Sequence, residues 1–189
     1  MKRLFIGLKL SAPSIEAVAG VVVKLRPLLP DVKWVPERNL HITLLFVGDV
    51  GDEKVGDVDG LLSLLSVEST IHGVLEGVGT FPSRGSATVF HVRVGEAATI
   101  TRLSHRVRGA CGSVPGLFVP VVRKFVPHLT VGRSRSRRGI ILSAATTRAL
   151  SSITRVREER FDRFVLFESI LSRQGPRYVE IESYPLCVR

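Results

Sequence analysis

Acidic residues are scarce in this chain. Seventeen Asp and Glu stand against 27 Lys and Arg in 189 residues, a formal net charge of +10. That surplus favours polyanionic partners such as RNA, DNA or an anionic membrane surface. Cysteine is rarer still. Cys111 and Cys187 are far apart and lack CxxC spacing, which excludes a disulfide framework and suits a reducing compartment. Both read as buried packing residues. Long apolar runs are also missing, since no stretch approaches the ~18 residues of a membrane span. Met1-Lys2-Arg3 before Leu4 to Leu8 has a loose signal-peptide shape, but Lys9 and Glu16 interrupt it. The apolar run is shorter than an h-region of about 7–15 residues, and a buried strand accounts for it better. A soluble, cytoplasmic protein with no membrane partner is expected.

Disorder is excluded by the opposite kind of evidence. Hydrophobic residues make up 44% and charged residues 23%, enough to build a core. The length suits one domain or a pair of fused half-domains.

What the chain does have is one tetrapeptide written twice: His41-Ile42-Thr43-Leu44 and His128-Leu129-Thr130-Val131. Both lie in runs of β-formers, Leu40 to Val47 and Phe125 to Val131. Side chains alternate faces along a strand, so each copy sends His and Thr to one face and its apolar residues to the other.

The surrounding pattern is α+β. Arg3 to Leu10 reads as a strand with Leu4, Ile6, Leu8 and Leu10 on one face, and Phe5 and Gly7 on the other. Ser11 to Ser14 opens a helix that runs to Pro27. Val32 to Val35 is a short strand, Glu53 to Leu65 a helix, and Ser69 to Phe81 and Ala87 to Val94 are strands around Pro82 to Gly85. Ile100 to Cys111 and Ile140 to Ile153 read as helices. Arg160 to Leu171 and Val179 to Leu186 read as strands around a Gln174-Gly175-Pro176 turn. With one His-x-Thr per half, this suggests an old duplication in which two α+β lobes face each other within a single domain, 1–189.

Two imidazoles across a cleft suit in-line displacement at phosphorus. One accepts a proton from the attacking water and the other donates one to the leaving oxygen. Thr43 and Thr130 would hydrogen-bond the non-bridging oxygens. Arg133 is the natural cation, since Arg makes bidentate phosphate contacts. Strict alternation puts it on the wrong face, so the strand must end or bulge there. No metal is expected, because neither motif has Cys, Asp or Glu at the i+2 position and a zinc site needs three or four ligands. His72, His91 and His105 have no partner motif and read as surface or core residues. Arg135, Arg137 and Arg138 form a basic loop that would draw in RNA phosphates if it flanks the cleft. Phe5 and Phe125 are candidates for stacking a base, with packing as the competing role.

With these residues placed, the chain resembles the LigT/ThpR family of two-histidine phosphoesterases, the RNA 2′,3′-cyclic phosphodiesterases also called 2′-5′ RNA ligases. The resemblance runs through Arg3-Leu4-Phe5-Ile6-Gly7-Leu8, Lys33-Trp34-Val35-Pro36, Asn39-Leu40-His41-Ile42-Thr43-Leu44 with Phe46 and Gly48, Gly79-Thr80-Phe81-Pro82, Pro127-His128-Leu129-Thr130-Val131 with Arg133, and Leu166-Phe167-Glu168-Ser169. Gly7 stands where the family often has Ala, and Phe90-His91 where Leu-Trp is common. The resemblance implies a bilobal fold with two antiparallel sheets lining a V-shaped cleft and helices outside. It implies hydrolysis of a terminal 2′,3′-cyclic phosphate to a 2′-phosphomonoester, with no cofactor, and 2′-5′ ligation as the reverse reaction. His41 would be the general acid toward O3′ and His128 the general base on water, with Thr43, Thr130 and Arg133 holding the phosphate. RNA ends, tRNA fragments among them, would be the substrates of a monomer. Hydrolysis of small-molecule cyclic phosphates, or a non-catalytic RNA- or nucleotide-binding module on the same fold, are the alternatives.

Overall fold

A computed structural model describes residues 1–65, 70–121, 124–173 and 175–186. Ser69, Gln174 and Cys187, assigned above to a strand, a turn and the core, lie outside them. The strand β1 (Lys2–Lys9) departs from simple alternation, because Leu4, Phe5, Ile6, Gly7 and Leu8 are all buried. Its position explains this. It pairs with β3 (His41–Val50) on one edge and with β8 (Arg163–Ile170) on the other. One face joins the main core, and the other joins a small cluster of Phe5, Val165 and Phe167 capped by Tyr178.

Between β1 and β3 come α1 (Ala12–Leu25) and β2 (Val32–Trp34). After β3 follow α2 (Asp52–Ser63), β4 (Ile71–Phe81), β5 (Val89–Gly95) and α3 (Ala98–Gly112). The chain then forms β6 (His128–Ser134), α4 (Ala144–Ser151), β7 (Arg157–Phe161), β8 and β9 (Arg177–Pro185).

Every strand pairing is antiparallel, in the order β7-β4-β5-β6-β3-β1-β8-β9, with β2 added to β6. The fold is therefore α+β. Among the described residues the strands form one nine-stranded sheet, thinned at its middle to the single pair Ile42↔Leu129 between β3 and β6, so that two antiparallel wings meet there. The two wings are not the two halves of the sequence. N-terminal β1 and β3 combine with C-terminal β8 and β9, and the other wing holds β2 and β4 to β7. The single strand expected over Arg160 to Leu171 is in fact two: β7 and β8 part at Asp162 and join opposite wings. Across the chain, Ser11 at the head of α1 donates through its N–H (3.1 Å) and Oγ (3.0 Å) to the buried Glu159 on β7.

Both motif strands bulge just after their threonine. β1 pairs Gly7 with Thr43 and then Ile6 with Leu45, which leaves Leu44 over. β5 pairs His91 with Thr130 and then Phe90 with Gly132, which leaves Val131 over. One extra residue shifts alternation by one, so Phe46 and Arg133 return to the face of the threonines. Each bulge carbonyl finds a donor off the ladder. Ser104 Oγ of α3 donates to Leu44 O at 2.7 Å, and the Val35 N–H donates to Val131 O at 2.9 Å.

Cys111 is buried in α3 as expected, and burial pushes its thiol up to about 11. Among the described residues no helix is long and apolar enough to cross a membrane.

Ser104 is buried and its hydroxyl has one task, so Ser104→Ala should leave the Leu44 carbonyl without a partner. A loss of about 1–3 kcal/mol in urea unfolding is expected; an unchanged midpoint would show that the bulge does not depend on this bond.

Candidate active site

The pair Ile42↔Leu129 sets the geometry of the site. In an antiparallel register centred there, His41 comes abreast of Thr130 and Thr43 abreast of His128. Above this rung lies a cavity of about 170 Å³ whose walls include His41, Thr43, Thr130, Arg133, Phe46 and Tyr178. The bulge on β6 is what brings Arg133 into it. No Asp or Glu lines it.

Each imidazole is held by a carbonyl two residues back. His41 Nδ1 lies 2.7 Å from Asn39 O, and His128 Nδ1 lies 2.8 Å from Val126 O. A carbonyl can only accept, so Nδ1 carries the proton in both rings and Nε2 is left for chemistry. His41 Nε2 meets Thr43 Oγ1 at 3.0 Å. Asn39 is itself fixed: it ends the 3₁₀ turn Glu37–Asn39, is buried, and donates through Nδ2 to Pro176 O at 2.8 Å.

Aromatic rings complete the support. Phe5 packs against His41 at 4.8 Å between centroids, Tyr178 meets it edge-on at 5.1 Å, and Phe5 stacks on Phe167 at 4.8 Å. Gly7 sits beneath the same ring, where an added Cβ would come within 3.3 Å of His41 Cδ2 and 3.0 Å of Ile42 O. An Ala at this position would therefore press on the His41 support.

The pKa values of both histidines lie below the ordinary value. Burial is the largest cause in each case. The backbone carbonyl opposes the shift, and the Arg133 charge reinforces it; His41 is also lowered by His128.

The remaining candidates differ in their relation to the cleft. Phe5 is among the residues lining the cavity but is only 3% exposed, with its ring packed against His41, Phe167 and Tyr178. Phe125 precedes β6 and packs half-buried against the main core, so the strand begins later than Phe125. Arg135 is exposed beyond the end of β6, with its N–H tied to Asp31 O at 2.9 Å. His72 and His105 are exposed.

His91, read from the sequence as a surface or core residue, is buried beside His128. It pairs with Thr130 in the ladder, stacks on Phe81 at 4.2 Å and meets His128 edge-on at 5.4 Å. Gly79 opposite makes room for it, since a Cβ there would lie 2.7 Å from His91 Nε2. Its Nδ1 is buried without a hydrogen-bond partner. Burial first, then the charges of His128 and Arg93, push its pKa down to about 4. No periodicity marks these contacts, because they come from neighbouring strands.

Comparison with known proteins shows which family and fold the chain resembles. Residues 13–168 match the model of the 2′-5′ RNA ligase superfamily. A relative from Archaeoglobus fulgidus, named RNA 2′,3′-cyclic phosphodiesterase, is 34% identical over 96% of this chain and 99% of its own. Another of that name from Geobacillus stearothermophilus is 29% identical over 98% of this chain, which spans 58% of that relative's length. A solved structure of a Thermus thermophilus protein superposes with a TM-score of 0.83 at 28% identity, covering 97% of each chain.

Since the folded His91 pKa is depressed, its contribution to stability is complete above the unfolded value of about 6.5 and is lost as pH falls toward about 4. His91→Leu should therefore show a smaller drop in Tm between pH 6.5 and 4 than the parent protein. Equal drops in thermal melts would place His91 in a solvated setting.

Proposed function

The chain belongs to the 2′-5′ RNA ligase superfamily, and from that premise we propose that it hydrolyses terminal 2′,3′-cyclic phosphates of RNA to 2′-phosphomonoesters without a metal. The observation that carries this reading is the pair of imidazoles with Nδ1 pinned to backbone carbonyls and Nε2 left for chemistry: His41 Nε2 meets the Thr43 hydroxyl, and the Arg133 charge acts on both rings.

The steps follow from those atoms. Neutral His128 takes a proton from water at Nε2 as the water oxygen attacks phosphorus. The P–O3′ bond breaks on the far side, and protonated His41 delivers its Nε2 proton to O3′. Thr43, Thr130 and Arg133 hold the non-bridging oxygens while charge builds on them. The lowered pKa of His128 keeps it neutral near pH 7. His41 must be protonated, and the anionic substrate beside it supplies the charge that favours this form. The same displacement with a 5′-hydroxyl as the nucleophile in place of water forms a 2′-5′ linkage, with P–O3′ again the bond broken. Both histidines come from one chain, so the same reading makes residues 1–189 a single two-lobed unit acting as a cytoplasmic monomer.

The test is an RNA oligonucleotide ending in a 2′,3′-cyclic phosphate, incubated with EDTA present. A 2′-phosphate product at an undiminished rate is expected; a 3′-phosphate would reverse the assignment of the leaving oxygen. His41→Ala and His128→Ala should each lose ~10²–10⁴-fold in kcat, and full activity in either would sink the acid–base reading.

The pH profile follows with its sign. Activity rises as the base loses its proton and falls as the acid loses its own. With both values below the ordinary range, the kcat/KM optimum should fall below about pH 6.5. Arg133→Gln removes a cause of both shifts and should move the profile toward higher pH while weakening anion binding. A profile that stays in place would show that Arg133 is remote from both rings.

A further inference from the structure

The catalytic cavity is too small for more than a phosphate group and its immediate atoms. It shares Val35, Arg133 and Tyr178 with a second cavity of about 520 Å³ on the His41 side. That volume lies within the ~300–1,000 Å³ range of small-molecule sites. Lys33, Arg38 and Arg177 line it in addition to Arg133, and no Asp or Glu does.

This concentration of charge has a cost. Lys33 and Arg133 are directly opposed in the β2–β6 ladder, an arrangement that repels. Among the described residues no ion pair with a carboxylate within 4.0 Å involves Lys33, Arg38, Arg133 or Arg177. The walls are nonetheless held in place. The Asn39 Nδ2 bond to Pro176 O joins the segment before β3 to the segment before β9. Lys33 reaches across toward the same segment, with its Nζ 3.7 Å from where a Cβ on Gly175 would lie. Pro176, Ile170 and the Tyr178 ring add apolar surface between the cations. Cations around an apolar slot suit a nucleoside with a phosphate attached, and repulsion between Lys33 and Arg133 would be relieved by a bound anion.

The position fixes which nucleotide this is. The cavity adjoins the His41 side through Asn39 and Tyr178, and His41 faces the leaving O3′ in the reading above, on which this inference rests. The ribose that carries O3′ therefore lies on this side. We infer that the Lys33–Arg38–Arg177 pocket binds the terminal nucleoside of the RNA and the phosphodiester on its 5′ side. The enzyme is then built for oligonucleotide ends in preference to isolated cyclic mononucleotides.

The experiment compares a trinucleotide ending in a 2′,3′-cyclic phosphate with the cyclic mononucleotide that lacks a 5′-phosphate. For the parent protein, kcat/KM should favour the trinucleotide. Its dependence on log salt should be steeper by roughly 0.7 per additional phosphate engaged. Lys33→Ala, Arg38→Ala and Arg177→Ala change exposed side chains, and circular dichroism verifies their folding. Each should shrink the trinucleotide-to-mononucleotide ratio of kcat/KM by about tenfold, the loss of one charge-assisted contact. A ratio that is unchanged in all three overturns the inference while leaving the hydrolase reading intact. If the parent protein turns over neither substrate, the hydrolase reading fails and the pocket is tested by binding. Anisotropy of a labelled trinucleotide 3′-phosphate should then weaken in the three variants, and equal affinity overturns the pocket as well.

Discussion

One rung of backbone pairing, Ile42 to Leu129, holds the two motif strands side by side, and the site exists because of it. Both side chains are fully buried, so the rung is anchored in the core while the opposite face stays open. A pairing shifted by one residue would turn His41 and Thr43 into the core and their apolar neighbours into the cleft. On either side of the rung the strands are claimed by different wings, β3 by β1 and β6 by β5 and β2. The narrow junction thus places two histidines on neighbouring strands, one on each side of the rung.

The bulges after Thr43 and Thr130 add what alternation alone would deny. Each releases a carbonyl from the ladder, and each carbonyl is taken by a donor from another element, Ser104 or Val35. A bulge with its polar groups satisfied is a stable feature. It delivers Arg133 to the phosphate side at β6 and Phe46 to the matching place at β3, where Arg3 lies 5.1 Å from the Phe46 ring centroid. The result is a small basin walled by Arg133 and the hydroxyl-bearing Thr43, Thr130, Ser169 and Tyr178, with no carboxylate among its described lining residues. Burial and the Arg133 charge lower the pKa of both rings, and an anion bound beside a ring would favour its protonated form.

Much of this was legible from residues alone. Period-two spacing placed His and Thr together twice, and the need for a bulge before Arg133 could be stated because strict alternation failed there. Other features depended on partners that spacing does not record. Ile140 was expected to open a helix, yet it bridges to Ala87, and α4 begins later because Ser143 caps it by accepting from the Thr146 N–H at 3.1 Å. Arg160 to Leu171 looked like one strand because nothing in its apolar pattern marks the change of wing at Asp162. Phe5 lay on the face opposite Leu4 and Ile6, as read, but that face is covered by Phe167 and Tyr178 from distant strands. His91 was read as surface or core and is buried, but its contacts could not be read from spacing, because Thr130 and His128 come from β6.

The account stands or falls on a single in-line displacement with one histidine on each side of phosphorus. The most direct test is stereochemical: an RNA end carrying one diastereomer of a 2′,3′-cyclic phosphorothioate, hydrolysed in ¹⁸O-labelled water, with the configuration of the product thiophosphate then determined. Inversion is the result predicted when water attacks opposite O3′. Retention would require two displacements through a covalent intermediate on the protein, and would contradict the assignment of His41 and His128 as acid and base.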